Sequence, residues 1–124
     1  MNDTVQDAEA AREMGEYLEA ALAGKLASWS LGVDMLQLEV SAGNLIDVLR
    51  KLRDDPRCQF VNLTDICGVD WPARARRFDV VYHLLSPKQN LRVRIKVETD
   101  EMTPVPSATA VFPGADWFER ETYD

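Results

Sequence analysis

Phe78-Asp79-Val80-Val81-Tyr82-His83-Leu84-Leu85, then Ser86-Pro87-Lys88-Gln89-Asn90, then Leu91-Arg92-Val93-Arg94-Ile95-Lys96-Val97-Glu98 is the stretch that decides the fold. Its last third alternates without a fault: Leu91, Val93, Ile95 and Val97 on one side, Arg92, Arg94, Lys96 and Glu98 on the other. The first third is rich in aromatic and branched residues, and Ser86–Asn90 has turn composition. Together they predict an antiparallel hairpin with one covered and one wetted face. Each inward side chain that is fully buried contributes about 1.5–3 kcal/mol.

Upstream of this hairpin, residues 1–7 read as flexible, and Ala8–Ala23 as a helix whose Ala11, Met14, Leu18 and Leu22 recur at three- and four-residue steps. Gly24 is placed to stop it. Lys25–Leu31 and Met35–Val40 read as strands about a Gly32-Val33-Asp34 turn, with Leu36, Leu38 and Val40 sharing a face. Ser41 is a candidate cap for a helix with an apolar stripe of Leu45, Val48, Leu49 and Leu52, ended by Asp54-Asp55-Pro56. Phe60–Asp70 mixes helical and alternating steps and is read as a short strand at Phe60–Leu63 followed by a turn. Downstream, Thr99–Pro106 is a loop, Ser107 caps a single turn through Val111, Pro113-Gly114 breaks the chain, and Asp116 opens a helix through Tyr123. The order α-β-β-α-β-β-β with terminal helical turns predicts one α+β domain: two layers, a mainly antiparallel sheet and helices on one face.

At 124 residues the chain suits a single domain with a real core. Hydrophobic residues make up 46% and charged residues 28%, which excludes wholesale disorder, and no run reaches membrane-spanning length. A net charge of −7 argues against nucleic acid as the main partner, and the local cluster Arg74, Arg76, Arg77 reads as a solvated turn. The acidic start, with Asp3, Asp7 and Glu9, fits neither a signal nor a transit peptide, so folding in the cytosol is expected.

Chemistry is sparse. The six glycines are scattered and form no phosphate loop. Cys58 and Cys67 lack the close pairing of a zinc or redox motif and read as reduced, structural thiols, Cys67 as a small core residue. The single histidine, His83, lies in the first hairpin strand and reads as a satisfied strand residue. No catalytic, cofactor-binding or metal residue is therefore assigned. The competing enzyme reading needs Asp65, Asp70, His83 or Cys67 to meet in a cleft.

The terminal stretch Phe112–Asp124 differs from the rest. Trp117 and Phe118 are adjacent and cannot both face one small core; Glu119 shares a helical face with Tyr123, and Arg120 shares one with Asp124. Trp, Tyr and Arg together are what interface centres favour, so Trp117, Phe118, Glu119, Arg120, Glu121, Tyr123 and Asp124 are the candidate partner-binding residues.

Phe112–Asp124, with Phe60-Val61-Asn62-Leu63-Thr64-Asp65-Ile66-Cys67-Gly68-Val69-Asp70-Trp71 and Tyr82-His83-Leu84-Leu85, resembles the thirty-kilodalton-subunit family of the bacterial NADH-quinone oxidoreductase, respiratory complex I. The resemblance implies a cofactor-free structural subunit of the peripheral arm on the cytoplasmic side of the inner membrane. Its implied partners are the quinone-site subunit and the adjacent iron–sulfur subunit, and NADH, FMN, the iron–sulfur clusters and quinone belong to other subunits. Family members continue beyond this motif into a tail that wraps a neighbour, so the resemblance implies a chain cut short at Asp124. The nearest alternative by resemblance is the equivalent domain of a membrane-bound hydrogenase or formate hydrogenlyase.

Overall fold

The computed structural model describes residues 2–32, 35–75, 78–100 and 105–123, with the backbone alone at 2–7 and 121–123. Its elements are α1 (Asn2–Ala21), β1 (Ser28–Leu31), β2 (Leu36–Glu39), α2 (Leu45–Asp54), β3 (Asn62–Asp70), β4 (Phe78–Ser86), β5 (Leu91–Thr99) and α3 (Ala115–Tyr123). Single 3-10 turns at Ala42–Asn44 and Ala108–Ala110 precede α2 and α3. The sheet order is β1-β2-β5-β4-β3, antiparallel throughout except for the parallel pair β2–β5. The predicted α+β architecture is what the chain adopts.

The decisive hairpin stands as read. Leu91, Val93, Ile95 and Val97 are buried, Asn90 turns the chain at φ 51°, and β5 lies in the middle of the sheet. The registers align one apolar row across all five strands: Trp29, Leu38, Ile95, Tyr82 and Ile66. The helices cover this face. From α1 come Ala11, Met14, Leu18 and Leu22, from α2 Leu45, Val48, Leu49 and Leu52, and all eight are buried. Gly15 is part of the fit, because a Cβ there would stand 2.4 Å from the Trp29 ring.

Three expectations about the secondary-structure elements need correction. First, α1 begins at Asn2, so residues 2–7 are its opening turns rather than a segment ahead of it; at its other end Gly24 takes φ +85° as a stop requires. Second, Ser41 makes no side-chain cap: its backbone is extended ahead of the 3-10 turn, and its hydroxyl accepts from Asn44 Nδ2 at 3.1 Å. Third, the region read as a short strand at Phe60–Leu63 and a turn is one nine-residue strand beginning at Asn62. A register shift between Leu63 and Asp65 makes the bulge that spoiled the alternation. Phe60 lies just outside β3, fully buried, with its N–H donated to Leu52 O at 2.8 Å. Of the Gly32-Val33-Asp34 turn, Gly32 donates to Met35 O at 2.8 Å, while Val33 and Asp34 lie outside the described residues, as do Pro104, Arg76 and Arg77.

Asp55 fastens the helical layer. Its carboxylate accepts from the Tyr17 hydroxyl of α1 and from Arg57 N–H at 2.8 Å, and pairs with Lys51 at 3.0 Å. Burial alone would raise this carboxyl, but those hydrogen bonds outweigh it and hold the group below the usual aspartate range. Cys58 is a buried structural thiol as read; burial pushes it up to about 11, and its sulfur lies 3.7 Å from Met14 Sδ. Among the described residues no helix is long and apolar enough to cross a membrane.

Candidate functional site

The edge formed by β3 and α3 collects the exposed apolar surface. Among the described residues the large exposed apolar side chains are Val61, Val69, Trp71 and Trp117. The first three lie on β3 or next to its ends, and α3 packs along that strand. Folding places them there because β3 has a strand neighbour on one side only, leaving its other edge to α3 and to solvent.

The terminal motif divides between fold and surface. Phe112 and Ala115 are buried, and Phe118 packs against the core, so one half of the motif anchors α3. Glu119 also works within the chain. Its carboxylate accepts from Ala108 N–H and from the Ser107 hydroxyl, each at 2.7 Å, and so holds the 3-10 turn that leads into α3. Ser107 itself caps that turn as expected, accepting from Thr109 N–H. Trp117 points outward, 65% exposed, and Arg120 pairs with Asp116 at 3.3 Å on the helix surface. The expected Arg120–Asp124 pair and the side chains of Glu121 and Tyr123 lie outside the described residues. Adjacent aromatics thus separate as the sequence requires, Phe118 inward and Trp117 outward.

The uncovered face of the sheet carries a second constellation, one residue along from the apolar row. Ser30, Gln37, Arg94, His83 and Asp65 stand in register across the five strands. Arg94 donates from Nε to His83 Nε2 at 3.2 Å and from Nη1 to Gln37 Oε1 at 3.4 Å, and His83 Nδ1 is 4.0 Å from Asp65 Oδ2. Burial and then the Arg94 charge push the His83 ring towards its neutral form, against the opposing pull of Asp65.

Cys67 is half-buried on this face rather than a core residue, and its thiol donates to Asp65 Oδ2 at 2.8 Å, which with burial pushes it up. This is not the arrangement of a cysteine nucleophile activated by a histidine: the thiol is bonded to a carboxylate instead of the imidazole, and the imidazole nitrogen accepts from an arginine. Asp70 sits at the far end of β3 opposite Phe78 and does not join the group.

Asp79 has no part in the sequence reading. Asp79, buried in β4, accepts from Trp71 Nε1 at 3.0 Å and from Arg74 at 2.6 Å, so Arg74 is a structural residue and not simply a solvated one. Of the four residues that the competing enzyme reading groups, Asp65, Cys67 and His83 do come together, through the β3–β4 register, and Asp70 does not. A groove of about 650 Å³ between α1 and α2 is lined by charges that already pair, Lys25 with Asp47 at 2.9 Å and Lys51 with Asp55 at 3.0 Å.

Comparison with known proteins adds an independent line. The matching subunit of the NADH-quinone oxidoreductase of Rhizobium etli is 61% identical over 116 residues, covering 94% of this chain and 58% of that protein. The corresponding subunit of Methylorubrum populi is 56% identical over 119 residues, covering 96% of this chain and 54% of that protein. The chain thus spans little more than half the length of these relatives. Among solved structures, one chain of an archaeal respiratory membrane complex, the membrane-bound sulfane sulfur reductase, shares the fold with a TM-score of 0.74 at 22% identity, over 89% of this chain and 64% of that one. The sequence profile of the respiratory-chain NADH dehydrogenase, 30 Kd subunit, matches residues 38–124, from within β2 through α3. On that match, and on relatives well above half identical, the chain belongs to the family of the 30 Kd subunit of respiratory-chain NADH dehydrogenase.

Proposed function

We propose that this chain is a non-catalytic docking domain of the peripheral arm of an NADH-quinone oxidoreductase, a scaffold for electron transfer from NADH to quinone coupled to proton translocation. The observation that carries the reading is Trp117, 65% exposed on a helix where the adjacent aromatic, Phe118, is packed inward. A tryptophan left in water on a helix that packs along β3, the strand that carries or borders the exposed Val61, Val69 and Trp71, is what an interface looks like before its partner arrives. In this reading the partners are the quinone-site subunit and the adjacent iron–sulfur subunit. NADH, FMN, the iron–sulfur clusters and quinone are held by other subunits, and the domain sits on the cytoplasmic side of the bacterial inner membrane without entering it.

Trp117 and Arg120 are the residues expected to touch the assembly, with Phe118, Glu119, Glu121, Tyr123 and Asp124 shaping the same element. Alanine at Trp117 and at Arg120 in the full-length subunit is expected to lower the amount of assembled complex in membranes. Normal assembly and normal quinone reduction in both variants would contradict the reading. The names of the relatives favour this assembly over a hydrogenase-type complex.

A further inference from the structure

Asp65 and Cys67 are two apart on β3 and leave the same face of the sheet, and the β3–β4 register sets His83 directly opposite Asp65. One ligand-capable atom from each lies within 4.8 Å of the other two. A tetrahedral ion with bonds of about 2.0–2.3 Å holds its ligand atoms roughly 3.3–3.8 Å apart. The spacings present, 2.8 Å from Cys67 Sγ to Asp65 Oδ2 and 4.0 Å from His83 Nδ1 to the same oxygen, reach that geometry by small side-chain rotations. All three residues are half-buried on the open face, so a fourth position faces solvent.

We propose that Asp65, Cys67 and His83 form a binding site for a thiophilic divalent cation of the zinc class, with water as the fourth ligand. A thiolate with an imidazole selects Zn²⁺ and Co²⁺ over Mg²⁺ and Ca²⁺, which prefer all-oxygen sets. The charges balance: the thiolate and the carboxylate offset the two charges of the ion.

Binding releases the thiol proton to solvent, and Asp65 exchanges the hydrogen bond from Cys67 for the ion. His83 Nε2 accepts from Arg94, so the neutral ring carries its hydrogen on Nδ1, the nitrogen nearer Asp65. Coordination at Nδ1 therefore moves that hydrogen to Nε2 and turns Arg94 towards Gln37, which already accepts from its Nη1. Arg94 is the competing cation at this site, and it keeps the affinity modest. An occupied site would tie the bulged edge strand β3 to β4, next to the exposed surface that α3 completes.

The test titrates the full chain with Co²⁺, followed by sulfur-to-cobalt charge-transfer absorption, then displaces it with Zn²⁺, with thermal melting alongside. One Co²⁺ per chain, a charge-transfer band, and a melting temperature that rises with added Zn²⁺ are expected. Cys67→Ser should abolish the band. His83→Gln and Asp65→Asn should each weaken Co²⁺ by at least about tenfold, since even the loss of a residue that merely supports a ligand costs that much. Arg94→Gln should tighten binding. Each variant is melted without metal first, and Cys67→Ala replaces Cys67→Ser if the serine variant does not melt cooperatively. Absence of the band at millimolar Co²⁺, a band that survives loss of Cys67, or affinity unchanged in both His83→Gln and Asp65→Asn would overturn the proposal.

Discussion

Two rows of side chains cross the same five strands one residue apart, and they behave as different materials. The row Trp29, Leu38, Ile95, Tyr82, Ile66 lies under the helices, with Leu38, Ile95 and Tyr82 fully buried. The row Ser30, Gln37, Arg94, His83, Asp65 faces outward and is held by hydrogen bonds and charge. Strand geometry makes the contrast, since neighbours along a strand point to opposite faces. The first row supplies stability by the area it removes from water, and the second supplies polar groups in fixed register at little cost to the fold.

The contrast can be broken most violently from the inner side. Ile95→Asp places a charge at the centre of the dry row, and it should cost more than about 4 kcal/mol, leaving no cooperative melt. Gly15→Ala should also destabilise, by about 1–3 kcal/mol in chemical denaturation, because the new methyl meets the Trp29 ring. Judged as an ordinary helix position, the same change would stabilise by up to about 1 kcal/mol, so the sign of the effect separates tertiary packing from helix propensity.

Asp55→Ala should remove about 1–2 kcal/mol by unpicking the tie between α1 and the end of α2. Because folding lowers the Asp55 pKa, its contribution is complete above the unfolded value near 4 and is lost as pH falls through the folded value. The variant should therefore show a flatter decline of stability on the acid side than the parent. On the outer row, His83→Gln should change stability by about 1 kcal/mol or less, measured in the same denaturation series. A large loss there would mean that the open face helps to hold the fold.

How much of this was legible follows from the same two rows. The dry row announces itself, because Leu91, Val93, Ile95 and Val97 alternate against charges, and the stripes of α1 and α2 repeat at helical spacing. Gly24 and Pro56 marked the helix ends for stereochemical reasons that act locally. β3 was misread because an edge strand with one strand partner and a bulge has no need of strict alternation: Thr64 sits at the register shift, and Val61 and Val69 are exposed. Asp65, Cys67 and His83 can be named together from the sequence, with Asp70, but which of them meet is not legible, since cross-strand neighbours are defined by register and not by spacing. The terminal motif reads as partner-binding from Trp117 to Asp124; that Trp117 and Phe118 cannot share one core is legible, but the inward turn of Phe118 and the bonds of Glu119 to Ser107 and Ala108 needed the third dimension.

If the β3–α3 edge is a docking surface, the subunit and its Trp117→Ala variant, each purified from membranes with its companions identified, should differ in what they bring with them. The parent should bring down the other subunits of an NADH-quinone oxidoreductase. The variant should lose them while the domain's own stability shifts by no more than about 0.5 kcal/mol, as befits an exposed ring. Companions retained in full by the variant, or a stability loss as large as that of a buried aromatic, would show that Trp117 serves the fold and not the assembly.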